Sequence, residues 1–226
     1  MIGAAVTGRG RATVPVVFDL DGTLVDSLPG IAWAANTLLA ERGHAPLPQA
    51  RIGTFVGLGE RVFLDRLIAA AGLDAADDAA LMARLLDLYR AAADRTTPFP
   101  GAREALQDLR DAGVPLGLCT NKPSGPLDAV LDALDLRGLF GAVVAGDTLP
   151  VRKPDPAPLH RAFDLLGGLG LYVGDNGIDA RTATSAGVPF WLFTEGIRHE
   201  PLADIPHDRA FDDFARLAAL YRATFA

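Results

Sequence analysis

One cysteine, Cys119, stands among 226 residues, so no disulfide can form within the chain. Aromatic residues are scarce at 7%, and the basic residues are almost all arginine: the only lysines are Lys122 and Lys153. No run of about 18 apolar residues occurs, which leaves no candidate for a membrane-spanning helix. A net charge of −7 disfavours nucleic acid and anionic membrane as partners, because both select basic patches. The opening MIGAAVTGRGRATVP has two arginines but no apolar core like that of a signal peptide, so a loose tail on a cytoplasmic protein is expected. His44, His160, His199 and His207 lack metal-ligand spacing, and no internal repeat is visible.

What is present begins with residues 14–27, VPVVFDLDGTLVDS. A β-branched apolar run stops at Asp19 and Asp21, followed by Gly22 and Thr23, which is the pattern of a buried parallel strand ending in a loop. Two carboxylates two residues apart on such a loop are costly to bury unpaired, and a hard divalent cation is the simplest partner. Further strands are expected at 115–119, 142–145, 171–174 and 189–193. Helical patterns lie between and after them, at 101–112, 125–134, 156–167, 179–186 and 212–223. Strands alternating with helices of this length predict right-handed βαβ units, a parallel sheet and an α/β fold.

One long interruption, residues 28–97, carries helical spacing instead, at 29–42, 48–56, 60–71 and 77–95. It divides the chain into a core of 1–27 with 98–226 and an inserted helical unit of 28–97. Pro29-Gly30 and Thr96-Thr97-Pro98 read as hinges, with Asp26 and Ser27 in a turn beside them. A lid above a loop bearing paired aspartates suits an active site.

Ligands of open parallel sheets bind where strands end. Here those ends carry Asp19 and Asp21, then Thr120, Asn121 and Lys122, then Lys153, then Asp175, Asn176 and Asp179. Both lysines of an arginine-rich chain therefore fall at strand ends, where a compact ammonium suits a single phosphate oxygen. Cys119 reads as a small buried strand residue, and Trp33 and Trp191 as core.

These motifs resemble the haloacid dehalogenase superfamily of phosphotransferases across nearly the whole chain. DLDGT, Thr120-Asn121, Lys153-Pro154 and Gly174-Asp175 with Asp179 occur in the superfamily's order. The phrases TNKP, RKPDP, FVGLG and FPGAREAL look most like bacterial 2-phosphoglycolate phosphatases. Asn176 departs from the pattern, since relatives commonly carry Ser or Thr there. The resemblance implies a Rossmann-like parallel sheet with helices on both faces and an all-helical cap. It implies a Mg²⁺-dependent phosphomonoesterase with Asp19 as nucleophile and Asp21 as acid and base. The metal would be held by Asp19, Asp21 and Asp175, with Asp179 behind them, and the phosphate by Thr120, Asn121 and Lys153. The expected partner is a small phosphorylated metabolite, 2-phosphoglycolate first among them. Expected assembly is a monomer or small homo-oligomer.

Other readings are weaker. A dehalogenase lacks the second aspartate, and a phosphonate-cleaving relative needs a cap lysine that residues 28–97 do not contain. A receiver-type signalling switch needs neither the insert nor Asp21. A pyrophosphatase, another small-phosphate phosphatase and a β-phosphoglucomutase-like mutase stay open. In the cap, Gly57, Gly59 and Arg61 are expected to read the leaving group, with Arg51 and Arg66 as alternatives. Asp179 has a second reading as a helix cap.

Overall fold

The computed structural model describes residues 13–74 and 76–225; the tail expected over the first twelve residues lies outside them. The apolar run before Asp19 forms β1 (Val16–Phe18), and the short β2 (Val25–Asp26) follows the DLDGT loop. The interruption is helical: α1 (Leu28–Glu41), α2 (Gln49–Gly53), α3 (Glu60–Ala71) and α4 (Asp78–Ala91), then a 3₁₀ turn at Ala93–Arg95. The chain returns through β3 (Thr97–Pro98), α5 (Ala102–Asp111), β4 (Leu116–Cys119), α6 (Ser124–Ala133) and β5 (Ala142–Val144). It closes with α7 (Ala157–Leu166), β6 (Leu171–Gly174), α8 (Gly177–Ala186), β7 (Phe190–Phe193), β8 (Arg209–Phe211) and α9 (Leu217–Phe225).

The main sheet is parallel throughout, in the order β5-β4-β1-β6-β7-β8. Its side chains alternate between two apolar layers. Val16, Phe18, Leu118 and Val173 pack with α5, α6 and α9, whereas Val17, Cys119 and Tyr172 pack with α7 and α8. Strands buried on both faces explain why the sequence shows continuous apolar runs and no alternation. β1 lies centrally, and the chain leaves it for β4 on one side and β6 on the other, so its carboxyl end is the crevice where loops from both halves meet.

The insert keeps a hydrophobic cluster of its own. Leu81, Leu85 and Leu88 of α4 pack there with Leu38, Ile52, Phe63 and Leu67. Its entry and exit are joined by an antiparallel ribbon pairing Val25 with Pro98 and Asp26 with Thr97. This ribbon and the edge strand β8 were not expected; two or three residues are too short for a periodic signal.

Candidate active site

The loop after β1 turns sharply at Gly22, whose φ of +85° is a left-handed value. A Cβ at Gly22 would lie 2.4 Å from Asp175 Oδ2, so close approach to the β6 loop is what demands glycine here. Asp175 is fully buried and well supplied with donors. Thr23 Oγ1 donates to its Oδ1 at 3.0 Å, and the Ile197 N–H donates to its Oδ2 at 2.7 Å. Burial, with Asp179 and Asp19 nearby, raises its carboxyl well above the ordinary range.

Lys153 reaches into the same space from the β5–α7 loop. Its Nζ donates to Asp179 Oδ1 at 2.7 Å and to Tyr172 Oη at 2.9 Å, and lies 2.8 Å from Asp19 Oδ1. Burial alone would lower this ammonium, but Asp179 and Asp19 carry it above the usual lysine value, so it stays charged. Burial likewise pushes the Asp19 carboxyl up to about 7, against the opposing pull of Lys153. The Cys119 thiol beneath them is pushed up to about 12 by burial and has no nucleophilic character.

The donor set fits a divalent cation. Oxygens of Asp19, Asp175 and Asp179 lie within 4.8 Å of one another. Asp19 Oδ1 is buried and, among the described residues, receives no donor in hydrogen-bond geometry. Four carboxylates, Asp19, Asp21, Asp175 and Asp179, face two ammonium groups, so ionising all four would leave two negative charges for a cation to balance in a buried site. Asp179 is already engaged, since its oxygens accept from Lys153, Tyr172 and the Asp175 N–H. It does not cap α8. Asn176 does, accepting from the Ile178 N–H at 2.8 Å. The Nδ2 of Asn176 also donates to Asp175 Oδ1 at 3.2 Å, which gives the departure at this position a structural account.

The β4 loop forms the opposite wall. Thr120 is buried, and its hydroxyl oxygen accepts from the Lys122 N–H at 3.2 Å, leaving the hydroxyl proton free to point outward. Asn121 departs from expectation. Its Oδ1 accepts from the Lys153 N–H, while its Nδ2 donates to the Lys153 carbonyl at 3.0 Å and to the Gly57 carbonyl at 2.9 Å. Both amide protons are committed, so this side chain fastens loops together and has none to spare for a ligand. Lys122 pairs with Asp21, at 3.0 and 3.2 Å to its two oxygens.

Above these groups the insert closes a small cavity of about 60 Å³. Ile31, Val56, Gly57, Gly59, Glu60, Phe63 and Tyr89 roof it over Asp19, Asp21, Thr120, Lys122 and Lys153. Gly57 and Gly59 line this cavity, whereas Arg61 does not. α3 begins at Glu60, which turns to the core and pairs with Arg152 at 2.6 Å. Arg61 lies about 100° further round the helix, where it is held by Asp65 and Asp78, both at 2.6 Å. The alternatives are occupied too: Arg51 stacks over Phe55, and Arg66 donates to the Thr54 carbonyl.

The model of the haloacid dehalogenase-like hydrolases matches residues 16–187. This chain belongs to the haloacid dehalogenase-like hydrolase family. A Cereibacter sphaeroides protein named phosphoglycolate phosphatase is 46% identical over 93% of this chain and 99% of its own length. A Rhodospirillum rubrum protein of the same name is also 46% identical, over 89% of this chain and 88% of its own. Among solved structures, one from Haemophilus somnus, described as a predicted phosphoglycolate phosphatase, superposes with a TM-score of 0.87 at 29% identity. It covers 92% of this chain and 97% of that one.

Several residues of this haloacid dehalogenase-like hydrolase escaped the sequence reading. Tyr172 supports both Lys153 and Asp179 through its buried hydroxyl, yet as a strand residue it carries no sequence signal. The loop after β7 supplies the Ile197 N–H, and a Cβ at Gly196 would lie 2.1 Å from the Gly22 carbonyl. Glu60 and Arg152 join cap to core, as do His199 and the Val56 carbonyl at 3.1 Å. Among the described residues no helix is long and apolar enough to cross a membrane.

Proposed function

We propose that the chain is a Mg²⁺-dependent phosphomonoesterase that hydrolyses 2-phosphoglycolate to glycolate and phosphate through an aspartyl-phosphate intermediate. The observation that carries the reading is Asp19 Oδ1, a buried carboxylate oxygen that faces the Lys153 ammonium at 2.8 Å beneath the cap and meets no donor in hydrogen-bond geometry. Asp19 attacks phosphorus in line, forming the Asp–O–P bond as the P–O bond to the leaving group breaks. Asp21 gives its proton to the departing alkoxide, then takes one from the water that attacks the aspartyl phosphate, which releases phosphate and restores Asp19. Lys153, the Thr120 hydroxyl and backbone N–H groups of the β1 and β4 loops hold the transferring oxygens. Asp19, the main-chain carbonyl of Asp21 and Asp175 would hold Mg²⁺, which when bound cancels charge on the phosphoryl group.

The small cavity under the insert is in keeping with a small leaving group. Relatives at 46% identity that are named phosphoglycolate phosphatase support the same choice. Residues 1–27 and 98–226 serve in this reading as the core and 28–97 as the cap. The cytoplasm is the proposed compartment, in keeping with one buried, unpaired thiol. A hydrolysis screen of the purified chain with Mg²⁺ tests the assignment. 2-Phosphoglycolate should lead sugar phosphates, nucleotides and pyrophosphate in kcat/KM. Faster turnover of any of these, or interconversion of a sugar phosphate, overturns it.

A further inference from the structure

We propose that Lys122 reads the carboxylate of the leaving group, an inference that rests on the 2-phosphoglycolate reading and deepens it. The cap offers no cation for this task. Arg61, Arg51 and Arg66 are held elsewhere, and the cap's own contribution to the cavity wall is apolar apart from glycines, Tyr89 and Glu60. Two ammonium groups line the cavity. Lys153 is fixed by Asp179 and Tyr172 beside Asp19, where it serves the transferring phosphoryl group and not the leaving group.

Lys122 is differently placed. Its Nζ spends two contacts on one carboxylate, that of Asp21, and sits 5.8 Å from the centre of the Tyr89 ring. It is 9% exposed, so a ligand charge beside it is poorly screened by water. Asp21 serves the leaving oxygen, which places that oxygen within hydrogen-bond reach of its carboxyl. In glycolate the carboxylate follows one methylene later. An ammonium 3.0 Å from Asp21 is therefore in range of the substrate carboxylate and has a third proton to give it. The same site offers a neutral leaving group nothing.

The test uses two stable phosphonates that cannot turn over, so that loss of acid catalysis does not enter. 3-Phosphonopropionate keeps the carboxylate and replaces the bridging oxygen by methylene, and propylphosphonate lacks the carboxylate. With Mg²⁺ present, Lys122→Met should weaken 3-phosphonopropionate by about ten- to a hundredfold in calorimetric Kd, and propylphosphonate by no more than about threefold. Retained propylphosphonate binding shows that the variant is folded. An equal, still measurable loss for both ligands, or no loss for either, overturns the proposal and leaves Lys122 as a support for Asp21. Should Lys122→Met bind neither ligand, Lys122→Gln is put through the same comparison and decides by the same ratio. Wild-type kcat/KM for 2-phosphoglycolate against ethyl phosphate is measured in parallel. A wild type that does not prefer the former sinks the functional reading, whereas a preference that survives in the variant sinks only the role of Lys122.

Discussion

Metal binding should release protons, and the site gives the size of the effect. Without metal, burial holds the Asp19 carboxyl up to about 7 and raises Asp175 well above its usual range. A carboxyl whose folded pKa is raised contributes stability that is complete below its unfolded value, 3.8 for Asp19, and is lost as pH climbs through about 7. The metal-free protein should therefore lose stability across that window, and Mg²⁺ should restore it only where the protons can leave. Below about pH 7 each displaced proton costs about tenfold in apparent affinity per pH unit, or about 1.4 kcal/mol. One proton predicts a tenfold loss per unit, and displacement from both Asp19 and Asp175 about a hundredfold. At about a hundred times its Kd, Mg²⁺ adds about 2.7 kcal/mol. For a chain of this length that is a rise of roughly 5–10 °C in Tm. Scanning calorimetry with and without Mg²⁺ from about pH 5 to 8 should show this rise at the upper end and its decline toward the lower. Titrations in buffers of different ionisation heat count the protons. A Tm rise independent of pH, with no proton released, would refute the buried-carboxylate account of the site.

Asp19→Asn should abolish turnover while leaving Tm within a few degrees, because the amide keeps the shape and cannot attack phosphorus; more than a few per cent of wild-type activity, with deamidation excluded by mass spectrometry, would sink the covalent route. Ca²⁺ should inhibit in steady-state assays with Mg²⁺, since it prefers more oxygen ligands and would draw both Asp19 oxygens into coordination. Asn121→Ala strips partners from both main-chain groups of Lys153 and from the Gly57 carbonyl. It should cost about 1–3 kcal/mol in denaturant unfolding and lower kcat/KM for every substrate alike. Arg61→Ala, by contrast, breaks only exposed ion pairs and should change kcat/KM less than about twofold, with at most about 1 kcal/mol of stability lost.

The parts of the site that sequence made legible are those where chemistry and chain order coincide. DLDGT packs strand, turn and two carboxylates into one short phrase, and apolar runs that stop at Thr120, Lys153 and Asp175 place each group on one rim. What stayed hidden was lateral. Lys122 meets Asp21 across 101 residues and Asn121 meets Gly57 across 64, and local patterns carry no trace of either pairing. Arg61 shows how fine the margin is. Helical spacing located α3 well, but which of Glu60 and Arg61 faces the core depends on the angle at which the helix leaves Gly59. Asn176 caps α8 through bonds to residues only two and three places on, a role its residue type favours locally.

The ribbon of β2 and β3 has a consequence for how such a protein can change over time. Asp26 and Thr97 are paired neighbours, so seventy residues of chain depart and return through one narrow doorway. Neither end of that doorway belongs to the six-stranded sheet, whose pairing runs through β1, β4 and β6. A different unit grafted between the same two positions, long or short, would meet the sheet's requirements unchanged. The groups on the rim of the sheet and the roof above them can therefore be exchanged, lengthened or repaired by evolution as separate pieces, joined at a single seam.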